Sequence, residues 1–116
     1  VKRIRIATKE SETNLRRELG TWVDETRGDK VVDSEDVRAL IMWLVEAHPT
    51  SIAIGPSPPS LQVATITFEG YDSMPLDTVR IAKQEDGQWI LDNGENVLRL
   101  HPIDAGEVLL PFVEIN

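Results

Sequence analysis

Ala39-Leu40-Ile41-Met42-Trp43-Leu44-Val45 is a run of seven apolar residues inside a segment whose flanks read as a helix. Successive helical residues turn by roughly 100°, so the run sweeps almost two turns and leaves no polar side. Such a helix needs cover on more than one side, from its own domain or from a partner. Asp33 or Ser34 caps its start, and Glu35 and Asp36 place negative charge at the positive end of its dipole. His48 precedes Pro49 and is biased out of the helical region, so the helix is predicted to run to about Ala47. With Val37, Leu40, Ile41 and Leu44 turned to a sheet, Ala39 and Trp43 point away from it. An outward tryptophan beside an alanine is the kind of anchor that interfaces favour. The alternative is that another element of the chain covers Trp43.

Working upstream, Leu15, Leu19, Trp22 and Val23 fall at i, i+4, i+7 and i+8, the stripe of an amphipathic helix predicted over Glu12–Arg27. Ser11 stands ready to cap it, Arg16, Arg17 and Glu18 take its wet side, and Gly28 stops it. Ahead of it, Lys2–Thr8 alternates basic and aliphatic residues with the period of a half-buried strand. Its basic side chains would discourage edge-to-edge pairing if it lay at a sheet edge. Val31-Val32 is a very short strand or a hydrophobic lead-in.

Downstream, Ser51–Ile54 reads as a short strand and Gly55–Ser60, with three prolines, as a stiff loop. Leu61–Phe68 alternates cleanly and is rich in β-branched residues, a strand. After a loop over Gly70–Leu76, Asp86-Gly87 and Asn93-Gly94 mark two hairpins of an antiparallel meander. A three-residue loop Glu85-Asp86-Gly87, with Gly87 left-handed, puts Ile81 opposite Leu91 and Arg80 opposite Asp92. A two-residue Asn93-Gly94 turn sets Ile90 against Val97 and Trp89 against Leu98. Val108–Val113 supplies a last strand, with Pro111 placing it at an edge or a bulge. Strands clustered after helices define an α+β fold in one domain, residues 1–116. Two consecutive helices near the N-terminus pack on a mainly antiparallel sheet built from the C-terminal half and an N-terminal strand.

Composition narrows the function classes. Of 116 residues, 41% are hydrophobic and 28% charged, a folded rather than disordered balance. No apolar run approaches the roughly 20 residues of a membrane-spanning helix, and Lys2–Ile6 alternates instead of forming a secretory signal core. With no cysteine, disulfides, thiolate metal sites and cysteine nucleophiles are excluded. The setting expected is cytoplasmic, or a virus particle. A net charge of −8 repels phosphate backbones, which makes direct nucleic-acid binding unfavourable.

Motifs that carry chemistry are missing. His48 and His101 each precede proline, and neither sits in a metal-ligand spacing, so both read as helix-end or strand-end residues. There is no phosphate-binding glycine loop and no nucleophile elbow. Acidic pairs such as Asp72 with Asp77 are expected by composition in a chain with twenty acids. No catalytic residue, cofactor or metal is predicted. The candidate protein-binding residues are Trp43 and Ala39, Trp89 beside its hairpin turn, and the acids Asp24, Glu25, Asp29, Asp33, Glu35 and Asp36 between the two helices. Trp22 is assigned to the core. The expectation is a small, acidic, non-enzymatic protein that binds another protein, with basic proteins among the candidate partners, as inhibitors, immunity proteins and anti-defence factors of bacteria and their viruses do. Two alternatives stand beside it: a structural subunit of a homo-oligomer or virus particle, and a DNA mimic. Interspersed Arg16, Arg17, Arg27, Arg38 and Arg99 count against the last.

Overall fold

Nine strands form a single antiparallel sheet with one α-helix across it, in a computed structural model that describes residues 2–55, 59–70, 74–95 and 97–112. Residues 56–58 of the predicted proline loop, residues 71–73 of the predicted loop over Gly70–Leu76, Asp72 among them, and Val113 lie outside the described residues. β1 (Arg3–Ala7), β2 (Glu12–Glu18), β3 (Thr21–Asp24) and β4 (Lys30–Val32) make one meander. β6 (Gln62–Glu69), β7 (Pro75–Lys83), β8 (Trp89–Asp92) and β9 (Val97–His101) make a second. The two join through β1 and β6, and β5 (Ser51–Ile54) adds to β9, giving the order β4-β3-β2-β1-β6-β7-β8-β9-β5. The α+β class therefore holds. β4 and β5 are the two edges, and α1 (Ser34–Val45) carries the chain over the sheet from one to the other.

The predicted first helix is a β-hairpin. β2 and β3 pair with Arg17 opposite Trp22 and Glu18 opposite Thr21. Leu19 and Gly20 turn the chain with φ of 50° and 84°, the left-handed pair that a tight hairpin demands. Leu19, which a helical stripe would bury, is fully exposed at 101%. A period of two wins locally: Thr13 and Leu15 are buried opposite Ile6 and Ile4 of β1, while Asn14 and Arg16 take the other face. β1 is thus interior to the sheet, and its arginines line the open face rather than guarding an edge.

Three readings of the second half hold and two do not. β6 buries Ala64, Ile66 and Phe68, one of its two alternating sets. The β7–β8 hairpin has the predicted register, Ile81 opposite Leu91 and Arg80 opposite Asp92, with Gly87 at φ 92°. Asp86 Oδ1 accepts from the amide of Gln88 and fixes the loop. Ser51–Ile54 is a strand. The β8–β9 register, however, is three residues away from the prediction: Trp89 faces His101, Ile90 faces Leu100 and Leu91 faces Arg99. Asp92 and Asn93 side chains accept from the amides of Gly94 and Glu95, holding a wider loop than two residues allow. An odd shift moves every β9 side chain to the opposite face. The described part of the predicted last strand, Val108–Phe112, is not a strand either: Ile103–Leu109 winds as a 3₁₀ segment, continued by a turn in which the Phe112 amide donates to the Leu109 carbonyl.

The main core lies between the sheet and the layer formed by α1 and the 3₁₀ segment. It gathers Ile4, Ile6, Leu15, Trp22, Ile66, Phe68, Ile81 and Leu91 against Val37, Leu40, Leu44, Leu109 and Phe112. A small second cluster of Ala82, Ile90 and Leu98, with Leu61 and Leu100 packed on it, occupies the other face. No helix among the described residues is long and apolar enough to cross a membrane.

Candidate functional site

α1 settles which of its sides is wet. Asp33 caps it, accepting from the Glu35 amide at 2.9 Å, and Val37, Leu40, Trp43 and Leu44 are buried. Met42 and Val45 are exposed instead. Trp43, expected to face outward, is only 5% exposed, and Ala39 is half-buried. The cover comes from this chain: α1 packs on the C-terminal 3₁₀ segment, and Trp43 meets Trp89 edge-on with ring centroids 6.0 Å apart. His101 approaches the same indole at 5.9 Å. The β8–β9 register is what brings Trp89 and His101 to this position side by side.

Trp89 is equally internal. Its Nε1–H donates to the Ile103 carbonyl at 2.8 Å, the ring packs on Gly106, and the Lys83 ammonium lies 5.3 Å from the ring centroid. Gly106 is the residue that lets the 3₁₀ segment close over the indole, since no side chain fits there. Trp43 Nε1 and His101 Nε2 are buried without hydrogen-bond partners among the described residues. Burial, reinforced by the charge of Arg99, lowers the His101 pKa from its ordinary value, so the ring is held neutral. Arg99 itself donates to the Leu44 carbonyl at 3.0 Å. No group of acids, histidines or cysteines that would hold a metal occurs among the described residues.

The predicted acidic patch divides by role. Asp24 caps the turn Glu25–Arg27, accepting from the Thr26 amide, and pairs with Arg27 at 3.4 Å. Glu25 is shared by Arg3 and Arg16, each at 3.3 Å, and Asp29 lies 3.8 Å from Arg16. Arg16 Nη2 donates to Glu18 Oε2 at 2.9 Å, and this bond, opposed by desolvation and supported by the Asp29 charge, raises the Arg16 pKa above its ordinary value. Asp33, Glu35 and Asp36 instead serve the start of α1. Much of the negative charge predicted as a binding surface is thus answered by arginines or by a helix dipole.

What remains unanswered is apolar. β5 is an edge strand exposed at all four residues, with Ile52 67% and Ile54 86% solvent-accessible. Ile52 lies opposite Arg99 and Ile54 opposite Val97. Arg99 reaches α1, so Ile52, Ile54 and Val97 all point to the helix side of the sheet, where Val45 and Met42 are also exposed. Sequence reading placed the strand but not its position, because only the pairing with β9 makes it an edge. A signal was present: Pro49 to Phe68 contains no Asp, Glu, Lys or Arg in a chain that is 28% charged.

No family model matches this chain, and no curated protein or solved structure matches it.

Proposed function

We propose that this chain works by binding protein rather than by catalysis, and that the β5 edge is its contact surface. The observation that carries the reading is the exposed pair Ile52 and Ile54 on a strand edge that has no further partner strand among the described residues. An edge strand presents a row of unused backbone donors and acceptors, a template for another strand, and flanking side chains give such a contact its affinity. Natural edges are commonly blunted by lysine or proline, and Ser51-Ile52-Ala53-Ile54 has neither. The burial of Trp43, Trp89 and His101 in one packed cluster supports structural roles for them, so the binding role moves from the tryptophans to β5. An inhibitor or immunity-type activity is one form this reading takes.

The test is affinity capture from the native host with the wild-type chain and with an Ile52→Lys/Ile54→Lys double variant whose circular dichroism matches wild type. Proteins retained by the first and lost from the second support the β5 edge. An identical set on both overturns it.

A further inference from the structure

We infer that the partner taken by the β5 edge is a second copy of this chain, paired β5 to β5 about a two-fold axis normal to the sheet; the inference rests on the reading of that edge as the contact surface. Such an axis makes the two edge strands antiparallel and keeps both helices on one side of a continuous eighteen-stranded sheet, twice the nine of one copy. Residues directly opposite in an antiparallel pair share a face. Only registers that set an isoleucine of one copy against an isoleucine of the other therefore keep the apolar side chains together. Centring the axis on Ala53 pairs Ile52 with Ile54 twice over, whereas centring it on Ile52 yields one such pair and sets Ile54 against Thr50. The Ala53-centred register is the better one.

Charge admits the same occupant and disfavours a basic one. Each copy carries −8, so two copies repel wherever acids meet. From Pro49 to Phe68 there are no charges to oppose one another, and β5 lies inside that run. A basic partner would find no counter-charge on this strand; an identical neutral strand needs none. Val97, opposite Ile54, adds apolar surface on the helix side of the seam. A strand of four residues is nonetheless a small contact beside the roughly 800 Å² per partner of a standard interface. The dimer is accordingly concentration-dependent, and it tightens with salt as the repulsion between the copies is screened.

Sedimentation velocity over about a hundredfold span of concentration, wide enough to cross the midpoint of a mass-action equilibrium, tests this directly. The expected wild-type mass rises from 13.0 kDa toward twice that value, more readily at high salt. Ile54→Lys stays at the single mass with unchanged circular dichroism. The register is tested by disulfide trapping, made clean by the absence of native cysteine. Ala53→Cys places two thiols opposite each other at about 4.5–5.5 Å between Cα atoms, inside the range a disulfide spans. Ser51→Cys leaves them about 14 Å apart, four residues of offset, and cross-links at least about tenfold more slowly. A wild-type chain that stays monomeric throughout overturns the inference, as does a dimer that survives Ile54→Lys or traps equally through Ser51→Cys. A monomer that captures another protein through β5 overturns only the second-copy inference. A monomer whose captures ignore β5 overturns the proposed function as well.

Discussion

Replacing Trp43 by alanine separates an internal tryptophan from an interface anchor. Trp43 is 5% exposed, lies edge-on to Trp89 at 6.0 Å and to His101 at 5.9 Å, and belongs to the main core. Truncating a buried aromatic of this kind removes its transfer free energy and leaves a cavity, together about 3–5 kcal/mol. Loss of its aromatic partners places Trp43 toward the upper end, since such pairs add about 0.5–1.5 kcal/mol beyond area. A domain of this size is stable by about 5–15 kcal/mol, so the variant sits near the limit of folding. At about 4 °C per kcal/mol, its Tm falls by about 12–20 °C. Urea unfolding followed by circular dichroism measures the change without relying on the lost fluorophore. Trp43→Phe refines the account. It keeps an aromatic ring and removes the buried Nε1–H that has no partner among the described residues. An unsatisfied buried donor costs about 1–3 kcal/mol, which offsets part of the lost volume. The expected loss is less than half that of Trp43→Ala. A Trp43→Ala variant destabilised by under about 1 kcal/mol would refute the burial argument, since every core-aromatic mechanism predicts more.

Leu19→Asn stabilises the fold by about 1 kcal/mol, because an asparagine accepts the left-handed φ of 50° that leucine resists and no packing is lost at a fully exposed site; a helix over Glu12–Arg27 would instead be weakened by it, and thermal melts decide. Gly106→Ala drives a methyl into the indole of Trp89 and costs about 1–3 kcal/mol of overpacking, with the Nε1–H bond to Ile103 strained as well; a melt within 1 °C of wild type contradicts the closure of the 3₁₀ segment over Trp89. His101 has a folded pKa lowered chiefly by burial, so the unfolded chain binds the proton more readily. The resulting stability is whole above the ordinary histidine pKa of about 6.5 and is lost as pH falls below it, by at most ~1.4 kcal/mol per pH unit. In His101→Phe, urea midpoints measured between pH 7 and pH 5 lose that part of the slope.

Local pattern determined the parts of this protein whose partners are near in sequence or whose period is unambiguous. The cap of α1, the alternation of β6 and the β7–β8 register follow from Asp33, the inward set Ala64, Ile66 and Phe68, and the left-handed Gly87, whereas α1 ends at Val45, two residues before the expected Ala47. Leu15, Leu19, Trp22 and Val23 satisfy a helical stripe, so local pattern alone makes Glu12–Arg27 a helix, and the structure overturns that reading. The choice fell to β1, which offers Ile4 and Ile6 a ladder against Leu15 and Thr13 and leaves Leu19 to the solvent. Hydrogen bonding and burial across a sheet outweigh the small propensity differences of an isolated segment.

The site was less legible for the same reason. The seven apolar residues of α1 announced a need for cover without saying what supplied it. That cover is a 3₁₀ segment some sixty residues downstream, admitted by Gly106 and locked by the Trp89 hydrogen bond to Ile103. Likewise Ser51–Ile54 was a strand from its residues alone, but whether it lay inside a sheet or at its edge depended on its pairing with β9. Sequence determined which segments are apolar and with what period. Tertiary structure alone decided which of those surfaces meet one another and which, the β5 edge among them, are left facing water, because burial is a property of distant segments brought together.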